Sequence, residues 1–271
     1  MSGKANGKGP LMKKTAAPSR MTNSKKALFR FSALCWIGKI LVPKYRFKWP
    51  QMGWWDEPGF NEYLSRFNEI DGMNTDRRWM LYQLMRLVRD VAGDSAECGV
   101  FNGAGSYIIC KVTQEDGLHY RTHHLFDSFE GLSKPSEFDG KHWREGDLSC
   151  PIKTVAENLS EFNNICIHKG WIPQCFSEVA HLGFCFVHID VDLYQPTLDS
   201  IKFFYPRMNK GGLILCDDYG FTTCPGATKA IDEFLQDKKE KMVSLSGGGG
   251  FFIKGIETSG RSPFSARATF L

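Results

Sequence analysis

The 271-residue sequence lacks the features that define several large classes of protein. No stretch reaches about 18 uninterrupted apolar residues, so no segment has the character of a clear membrane span. The nine cysteines include no CxxC pair, and their odd number favours reduced thiols in an intracellular protein over a disulfide framework. Charged residues make up 24% and aromatic residues 13%, ordinary values that exclude wholesale disorder and a coiled-coil rod.

Acidic residues are absent from the first 55 positions, which contain twelve lysines and arginines. The rest of the chain carries 22 basic and 30 acidic side chains, so its main part is acidic. Because the positive charge lies outside that main part, we expect no nucleic-acid partner. The sequence predicts a cytoplasmic protein, and its basic N-terminus keeps an organelle or a membrane surface open as alternative locations.

Composition divides the chain into three segments. Residues 1–27 are small, polar and basic, which predicts a disordered tail. Residues 28–72 are predicted to form an N-terminal helical or lid segment. Its apolar stretch 28–42 is broken by Arg30 and Lys39, and we interpret it either as a helix packed on the main domain or as a membrane-surface segment. Residues 73–271 form the predicted main domain.

Helix-like and strand-like segments alternate through the main domain. Alternation with near-continuous apolar strands is typical of a parallel sheet that helices cover on both faces. We therefore predict an α/β fold with a Rossmann-like, doubly wound, mostly parallel sheet and a C-terminal antiparallel hairpin. The predicted strands are 95–101, 123–127, 164–170, 184–190 and 211–219, the helices 75–92, 105–114, 155–162, 197–208 and 227–238, and the hairpin 241–255.

A glycine-rich turn follows the first predicted strand, in the sequence ECGVFNGAGS at 97–106. Gly99 and Gly103 lack a Cβ atom, so the backbone of the turn can approach a ligand closely. The turn is not GxGxxG and carries Glu97, so it suits a cationic or zwitterionic ligand better than a phosphate. An ordinary βα loop is the alternative. The second strand ends at Asp127, where an acid can accept hydrogen bonds from a ribose diol.

Two pairs of carboxylates end the later strands, Asp190 and Asp192 in HIDVDLY, and Asp217 and Asp218 in CDDYG. Neighbouring parallel strands would bring these side chains together, and converging carboxylates repel one another unless a cation lies among them. Oxygen ligands suit Mg²⁺ or Mn²⁺ rather than Zn²⁺. The alternative is that the acids are solvated strand ends or helix caps. The sequence contains no HExxH or GxSxG motif.

These motifs occur in the order ECGVFNGAGS, LFDSFEGL, IHKGW, HIDVDLY and CDDYG, and together they resemble the macrocin O-methyltransferase family over residues 73–255. The resemblance implies a class I methyltransferase fold and a reaction that depends on S-adenosylmethionine and Mg²⁺ (or Mn²⁺). It implies that residues 73–271 are the S-adenosylmethionine-dependent domain.

The resemblance also assigns roles to residues. The turn would hold the methionine part and ribose of the cofactor through Glu97, Gly99, Val100, Phe101, Gly103 and Ser106. Binding of the ribose and adenine would fall to Asp127, Ser128, Phe129, Gly170 and Trp171. The metal ligands would be Asp190, Asp217 and Asp218, with Asp190 also the catalytic base. Asp192 and Tyr194, which follow the same strand, are candidate contacts for the acceptor.

The predicted function is therefore transfer of a methyl group from S-adenosylmethionine to a hydroxyl of a small molecule, a sugar or a similar diol, with Mg²⁺-assisted deprotonation. A nicotinamide-dependent oxidoreductase is one alternative, but it would need GxGxxG and a catalytic Lys, Tyr or His after the fourth strand. A membrane-associated, non-catalytic relative is the other, and it would have lost the site acids. The identity of the acceptor, a homo-oligomeric state and the role of residues 1–50 stay open.

Overall fold

The computed structural model describes residues 20–41, 53–70 and 74–259. These residues fall into two compact units, divided between Pro58 and Gly59. The first unit contains helix α1 (Arg20–Leu41) and a short 3-10 helix (Gly53–Asp56). Among the described residues, no helix is both long enough and apolar enough to cross a membrane.

Helix α1 begins earlier than the sequence analysis predicts. Residues 20–27, assigned to the disordered tail for their polar and basic composition, are helical. Lysine, arginine, methionine and alanine are good helix formers, so a basic and polar composition does not exclude a helix. The remaining part of the predicted tail, residues 1–19, lies outside the described residues.

The second unit is built on a seven-stranded sheet. Its strands are β1 (Asp94–Cys98), β2 (His123–Asp127), β3 (Ile165–Lys169), β4 (Phe184–Ile189), β5 (Met208–Cys216), β6 (Val243–Ser244) and β7 (Gly250–Ile253). The strand order is β3-β2-β1-β4-β5-β7-β6. Strands β1 to β5 pair in parallel, while β7 is antiparallel to both β5 and β6. The predicted doubly wound fold and its antiparallel hairpin are confirmed.

Helices cover both faces of the sheet. They are α2 (Pro58–Arg66), α3 (Thr75–Met85), α4 (Ala104–Glu115), α5 (Ile152–Asn158), α6 (Tyr194–Phe204) and α7 (Pro225–Leu235). Side chains alternate along β2, so Phe126 joins a cluster with Phe184 and Phe204 while Leu125 joins another with Val155. Because both faces are covered, every residue of β4 is buried, and its sequence FCFVHI is nearly all apolar.

Helix α2 lies in the second unit from Gly59 onward, and the boundary after residue 72 stays a prediction. The aromatic residues Phe60, Tyr63 and Phe67 recur at helical spacing and are buried. The Tyr63 hydroxyl donates a hydrogen bond to the carbonyl oxygen of Ala104 at 2.9 Å. A polar stretch around residues 68–74 suggests a linker, but the apolar face of α2 packs on the main domain.

Gly99 permits the sharp exit of the chain from β1. Its φ is +81°, and a Cβ on this residue would lie 1.8 Å from the carbonyl oxygen of Asp190. The same two segments are joined by a hydrogen bond from the Asp190 amide to the Cys98 carbonyl at 2.8 Å. Any side chain at Gly99 would therefore push the turn after β1 away from the end of β4.

We expect Gly99→Ala to destabilise the fold by more than its backbone conformation alone requires. The matched control is Gly117→Ala, because Gly117 also has a positive φ (+71°) but nothing lies within 4 Å of its added Cβ. Both variants incur the cost of positive φ, about 1–2 kcal/mol, and only Gly99→Ala adds overpacking of about 1–3 kcal/mol. Chemical denaturation measures the difference, and equal free energies of unfolding for the two variants would contradict the prediction.

Candidate active site

A cavity of about 600 Å³ opens at the carboxyl ends of the parallel strands. Ligands of doubly wound sheets bind at this edge. Loops after β1, β2, β3, β4 and β5 all contribute to its wall. Among the residues that the sequence analysis predicts for the site, those lining the cavity are Glu97, Gly99, Val100, Phe101, Asp127, Ser128, Gly170, Trp171, Asp190, Asp192 and Asp218.

Five other predicted residues, Gly103, Ser106, Phe129, Tyr194 and Asp217, are not among the described residues that line the cavity. Tyr194 begins α6, and its hydroxyl donates to Glu233 Oε2 on α7 at 2.7 Å. Its ring packs on Phe138 with a centroid distance of 4.7 Å. The structure therefore does not bring Tyr194 to the cavity, although Asp192 two residues earlier does reach it.

Asp127 ties together the loops that follow β1 and β2. Its Oδ2 accepts hydrogen bonds from the amides of Val100 (2.7 Å) and Phe101 (3.2 Å), and its Oδ1 accepts one from the amide of Phe129 (2.7 Å). Phe101 and Phe129 both have positive φ values, so the two loops bend sharply around this carboxylate. Asp127 thus shapes the glycine-rich turn and also lines the cavity.

Glu97 lies inside the sheet on β1 and is only 2% exposed. Its Oε2 accepts a hydrogen bond from the Ser106 hydroxyl, and its Oε1 accepts one from His188 Nδ1 at 2.8 Å. A Cβ at Gly105 would lie 2.0 Å from Glu97 Oε1, so only glycine fits there. Ser106 therefore fixes the position of the Glu97 carboxylate. The predicted role of Ser106 in cofactor binding would be indirect, through that carboxylate.

His188 connects Glu97 to the metal-ligand candidates, and the sequence analysis does not identify it. The residue faces Glu97 in the register of β1 and β4, and its Nε2 lies 3.6 Å from Asp217 Oδ1. Burial alone would lower the pKa of His188, but its contacts with Asp217 and Glu97 outweigh burial and raise the pKa to about 10. The imidazole is therefore a buried cation between two carboxylates.

The strand-end carboxylates form two adjacent groups. Donor atoms of Asp190, Asp217 and His188 lie within 4.8 Å of one another, and so do those of Asp192, Asp218 and Cys224. The predicted metal ligands Asp190, Asp217 and Asp218 thus span both groups. Asp218 Oδ2 accepts a hydrogen bond from the Asp192 amide at 2.8 Å, which fixes the loop after β4 to the end of β5.

Burial and mutual repulsion perturb these acids strongly. Burial, followed by the negative charge of Asp217, raises the pKa of Asp190 to about 7. Burial likewise raises the pKa of Asp192 to about 6, and it raises that of Asp218 well above its ordinary value. Burial would raise the pKa of Asp217 too, but the charge of Arg77 outweighs it and holds the pKa well below its usual range.

Arg77 is a second site residue that no sequence motif marks. It projects from α3, and its guanidinium forms an ion pair with Asp217 and stacks 4.9 Å above the ring of Phe221. Arg77 also lines the cavity. The sequence analysis considers only the spacing of apolar residues in this helix. Nothing in that pattern distinguishes Arg77 from the other polar residues of the helix or indicates its contact with Asp217.

The donor set fits a hard divalent cation. The buried carboxylates of Asp192, Asp217 and Asp218 and the half-buried one of Asp190 lie together at the strand ends. The positive groups in contact with Asp217 are Arg77 and His188. Carboxylate oxygens are the ligands that Mg²⁺ and Mn²⁺ prefer. The cavity volume lies in the range of about 300–1,000 Å³ that is usual for small-molecule sites, so a nucleoside cofactor also fits.

The sheet order, the antiparallel last strand and this cavity define a class I, Rossmann-like methyltransferase fold. Within that class, residues 76–252 match the model of the family Macrocin-O-methyltransferase (TylF). The chain belongs to this family.

Curated relatives are O-methyltransferases of natural-product pathways. The 8-demethyl-8-(2,3-dimethoxy-alpha-L-rhamnosyl)-tetracenomycin-C 4'-O-methyltransferase of Streptomyces olivaceus is 26% identical over 152 residues, which cover 52% of this chain and 58% of the relative. Mycinamicin III 3''-O-methyltransferase of Micromonospora griseorubida is 26% identical over 157 residues, which cover 53% of this chain and 61% of the relative. The chain thus spans about three fifths of each relative's length.

Solved structures support the same fold. The O-methyltransferase NovP superposes with a TM-score of 0.59 at 24% identity, covering 66% of this chain and 80% of its own. The calicheamicin methyltransferase CalS11 superposes with a TM-score of 0.61 at 18% identity, covering 93% of this chain and 100% of its own. At these identities the superpositions establish the fold of the second unit.

Proposed function

We propose that this chain is an S-adenosylmethionine-dependent O-methyltransferase that acts on a hydroxyl of a small molecule, a sugar or a similar diol, with the help of Mg²⁺ or Mn²⁺. The observation that carries the proposal is the group of buried carboxylates at the ends of β4 and β5, beside a glycine-rich turn that Asp127 holds in place. Membership of the macrocin O-methyltransferase family and the names of its relatives support it.

The carboxylates have different roles in this proposal. An aliphatic hydroxyl is too weak an acid to ionise at neutral pH, and a bound Mg²⁺ supplies a Lewis acid that lowers the pKa of that hydroxyl. Asp217 and Asp218 would hold the ion together with Asp190. Asp190 would also accept the hydroxyl proton as the oxygen attacks the methyl group. Arg77 and His188 keep Asp217 ionised and oriented as a ligand.

The cofactor would lie across the turn after β1. Glu97, Gly99, Val100 and Phe101 would contact its methionine part and ribose, and Asp127 would accept from its ribose. Trp171, which is 43% exposed and lines the cavity, would cover the adenine. Holding the donor and acceptor in line supplies much of the rate of a transfer reaction. The acceptor would enter from the side of Asp192 and Asp218.

S-adenosylhomocysteine should raise the melting temperature of the protein, and Asp127→Ala should weaken its binding by about 1.5–3 kcal/mol, the range for a hydrogen bond to a charged group. The loss has two sources, since Asp127 also holds the amides of Val100 and Phe101. Isothermal titration calorimetry measures the effect. The control is Asp237→Ala, because Asp237 is a surface acid with a side chain 76% exposed.

Equal affinities of the wild type and Asp127→Ala for S-adenosylhomocysteine would contradict the assignment of Asp127 to cofactor binding. Stabilisation by NAD⁺ in place of S-adenosylhomocysteine would favour the oxidoreductase alternative. Once the cofactor is established, turnover assays with sugar and catechol diols identify the acceptor class, because two vicinal oxygens chelate a metal better than one.

We propose further that the protein works in the cytoplasm and meets small-molecule partners. All nine cysteines are free thiols, as expected in a reducing compartment. A homo-oligomeric state stays a proposal that sedimentation velocity would test.

The N-terminal segment is proposed to contact anionic membrane surfaces. Helix α1 contains five lysines and arginines and no acidic residue, and only Arg30 and Lys39 interrupt its apolar C-terminal part. We expect removal of residues 1–41 to abolish sedimentation with phosphatidylserine-containing vesicles while S-adenosylhomocysteine binding is retained. Equal sedimentation of the full-length and shortened proteins would leave the segment as a solubilising extension.

A further inference from the structure

A second cluster of metal-ligating side chains lies between β2 and β3. His124 on β2 is the register partner of Cys166 on β3, and His168 follows Cys166 by two residues. Side chains two residues apart point to the same face of a strand, so all three share one face of the sheet. Their donor atoms lie within 4.8 Å of one another. None of the three is among the described residues that line the cavity.

Each histidine of this cluster donates a hydrogen bond to a carboxylate on its outer side. His124 Nε2 lies 3.3 Å from Asp94 Oδ2, and His168 Nδ1 lies 2.7 Å from Glu178 Oε2. An ionised carboxylate only accepts, so the outer ring nitrogens carry the protons.

The inner nitrogens of the two rings then face each other without a hydrogen. His124 Nδ1 and His168 Nε2 are 3.0 Å apart, and a neutral imidazole that is protonated on its outer nitrogen presents a lone pair on the inner one. Two lone pairs repel at this distance. An additional proton or a metal ion between the nitrogens removes the repulsion.

Several features favour a metal ion over a proton. Metal-bound histidines usually donate their other N–H to a carboxylate or a carbonyl, and both histidines here do so. The thiol of Cys166 supplies a third donor, which a shared proton would not need. Two nitrogens and one sulfur are typical ligands of Zn²⁺. Binding requires both imidazoles to turn towards the thiol from their head-on arrangement, in which the ring centroids are 5.3 Å apart.

We propose that His124, Cys166 and His168 bind a Zn²⁺ ion, with Asp94 and Glu178 orienting the two imidazoles. Binding forms a Zn–S bond and releases the thiol proton of Cys166 to solvent. The fourth position would hold a water molecule, because β3 is the edge strand of the sheet and Cys166 is only partly buried. The ion would fix β3 to β2 just before the loop that carries Gly170 and Trp171.

Metal titration of the full chain tests the site without any methyl-transfer assay. After treatment with a chelator and dialysis, and with MgCl₂ present to occupy the cavity acids, we expect the protein to bind ZnCl₂ and to gain further thermal stability. CoCl₂ should bind the same ligands and give the near-ultraviolet absorption of a cobalt–thiolate bond. A protein that gains no stability from Zn²⁺ and shows no such absorption would overturn the proposal and leave a shared proton between the histidines.

Substitutions separate this site from the cavity acids, whose group includes Cys224. Cys166→Ser should abolish the cobalt–thiolate absorption, and Cys224→Ser should retain it. The opposite pattern would overturn the proposal and assign the thiolate ligand to the cavity.

The surface position of Glu178 gives a variant that leaves the core untouched, since its side chain is 71% exposed. Glu178→Gln should weaken Zn²⁺ binding by about 10–100-fold, the usual effect of removing a carboxylate behind a metal-bound histidine. The control is Glu157→Gln, because Glu157 is similarly exposed at 66% on α5. Equal Zn²⁺ affinities for the two variants would contradict the role of Glu178.

Discussion

Asp190→Asn is expected to lower turnover by about 10²–10⁴-fold, the usual contribution of a general base. Asparagine preserves the shape of the side chain and a carbonyl oxygen, but it cannot accept the proton of the acceptor hydroxyl. The affinity for S-adenosylhomocysteine should change little, because the contacts of the turn after β1 are made by Asp127 and Glu97. Steady-state kinetics and calorimetry on the same preparation separate the two effects.

Asp192→Asn is the matched control for that prediction. Asp192 is also buried, lines the cavity and has a raised pKa, but it lies in the group of Asp218 and Cys224. If Asp190→Asn retains most of its activity while Asp192→Asn loses it, the base is the other carboxylate. Asp190 remains the better candidate because it directly follows β4, where its donor atom lies beside those of Asp217 and His188.

Removal of divalent cations is expected to abolish turnover, and addition of Mg²⁺ or Mn²⁺ to restore it. The reason is the imbalance of charge at the ends of β4 and β5, where Arg77 and His188 contact Asp217 but leave the other carboxylates mutually repulsive. Oxygen ligands bind hard cations of this kind. Activity measured against metal concentration, in buffer freed of metal by EDTA, gives the result.

Asp217→Ala and Asp218→Ala should each lose the response to added metal while retaining the fold, and Asp237→Ala should respond like the wild type. Asp217→Ala also leaves Arg77 without its ion-pair partner, so circular dichroism should accompany the kinetics. Full activity in excess EDTA would refute a metal role and leave Arg77 and His188 as the positive groups beside the acceptor.

The fold could be predicted from the sequence because apolar runs such as FCFV in β4 and LILC in β5 are followed by polar turns and alternate with helical segments. Strand β2 has the predicted bounds, and the ends of the other strands shift by a few residues. The predicted helix 75–92 stops at Met85 because the chain tightens into a 3-10 turn at Arg86–Val88. Composition could not place α2, whose attachment depends on aromatic contacts with distant residues.

The acids of the site could be identified because they directly follow strands, and strand ends meet at one edge of a parallel sheet. Residues whose role depends on the register between strands could not be identified from the sequence. His188 becomes significant only when β1 and β4 are aligned so that it faces Glu97. The position of Tyr194 outside the described cavity lining could not be predicted either, because Asp192 adopts a positive φ and the chain then turns into α6.

The buried contacts from Ser106 through Glu97 and His188 to Asp217 form one continuous chain from the start of α4 to the end of β5, joining the proposed cofactor and metal sites. A ligand that changes the charge at one end of this chain of contacts changes the electrostatic free energy at the other end. Thermodynamic linkage makes such an effect reciprocal. In a methyltransferase with this core, the affinity for the cofactor and the affinity for the cation would therefore depend on each other.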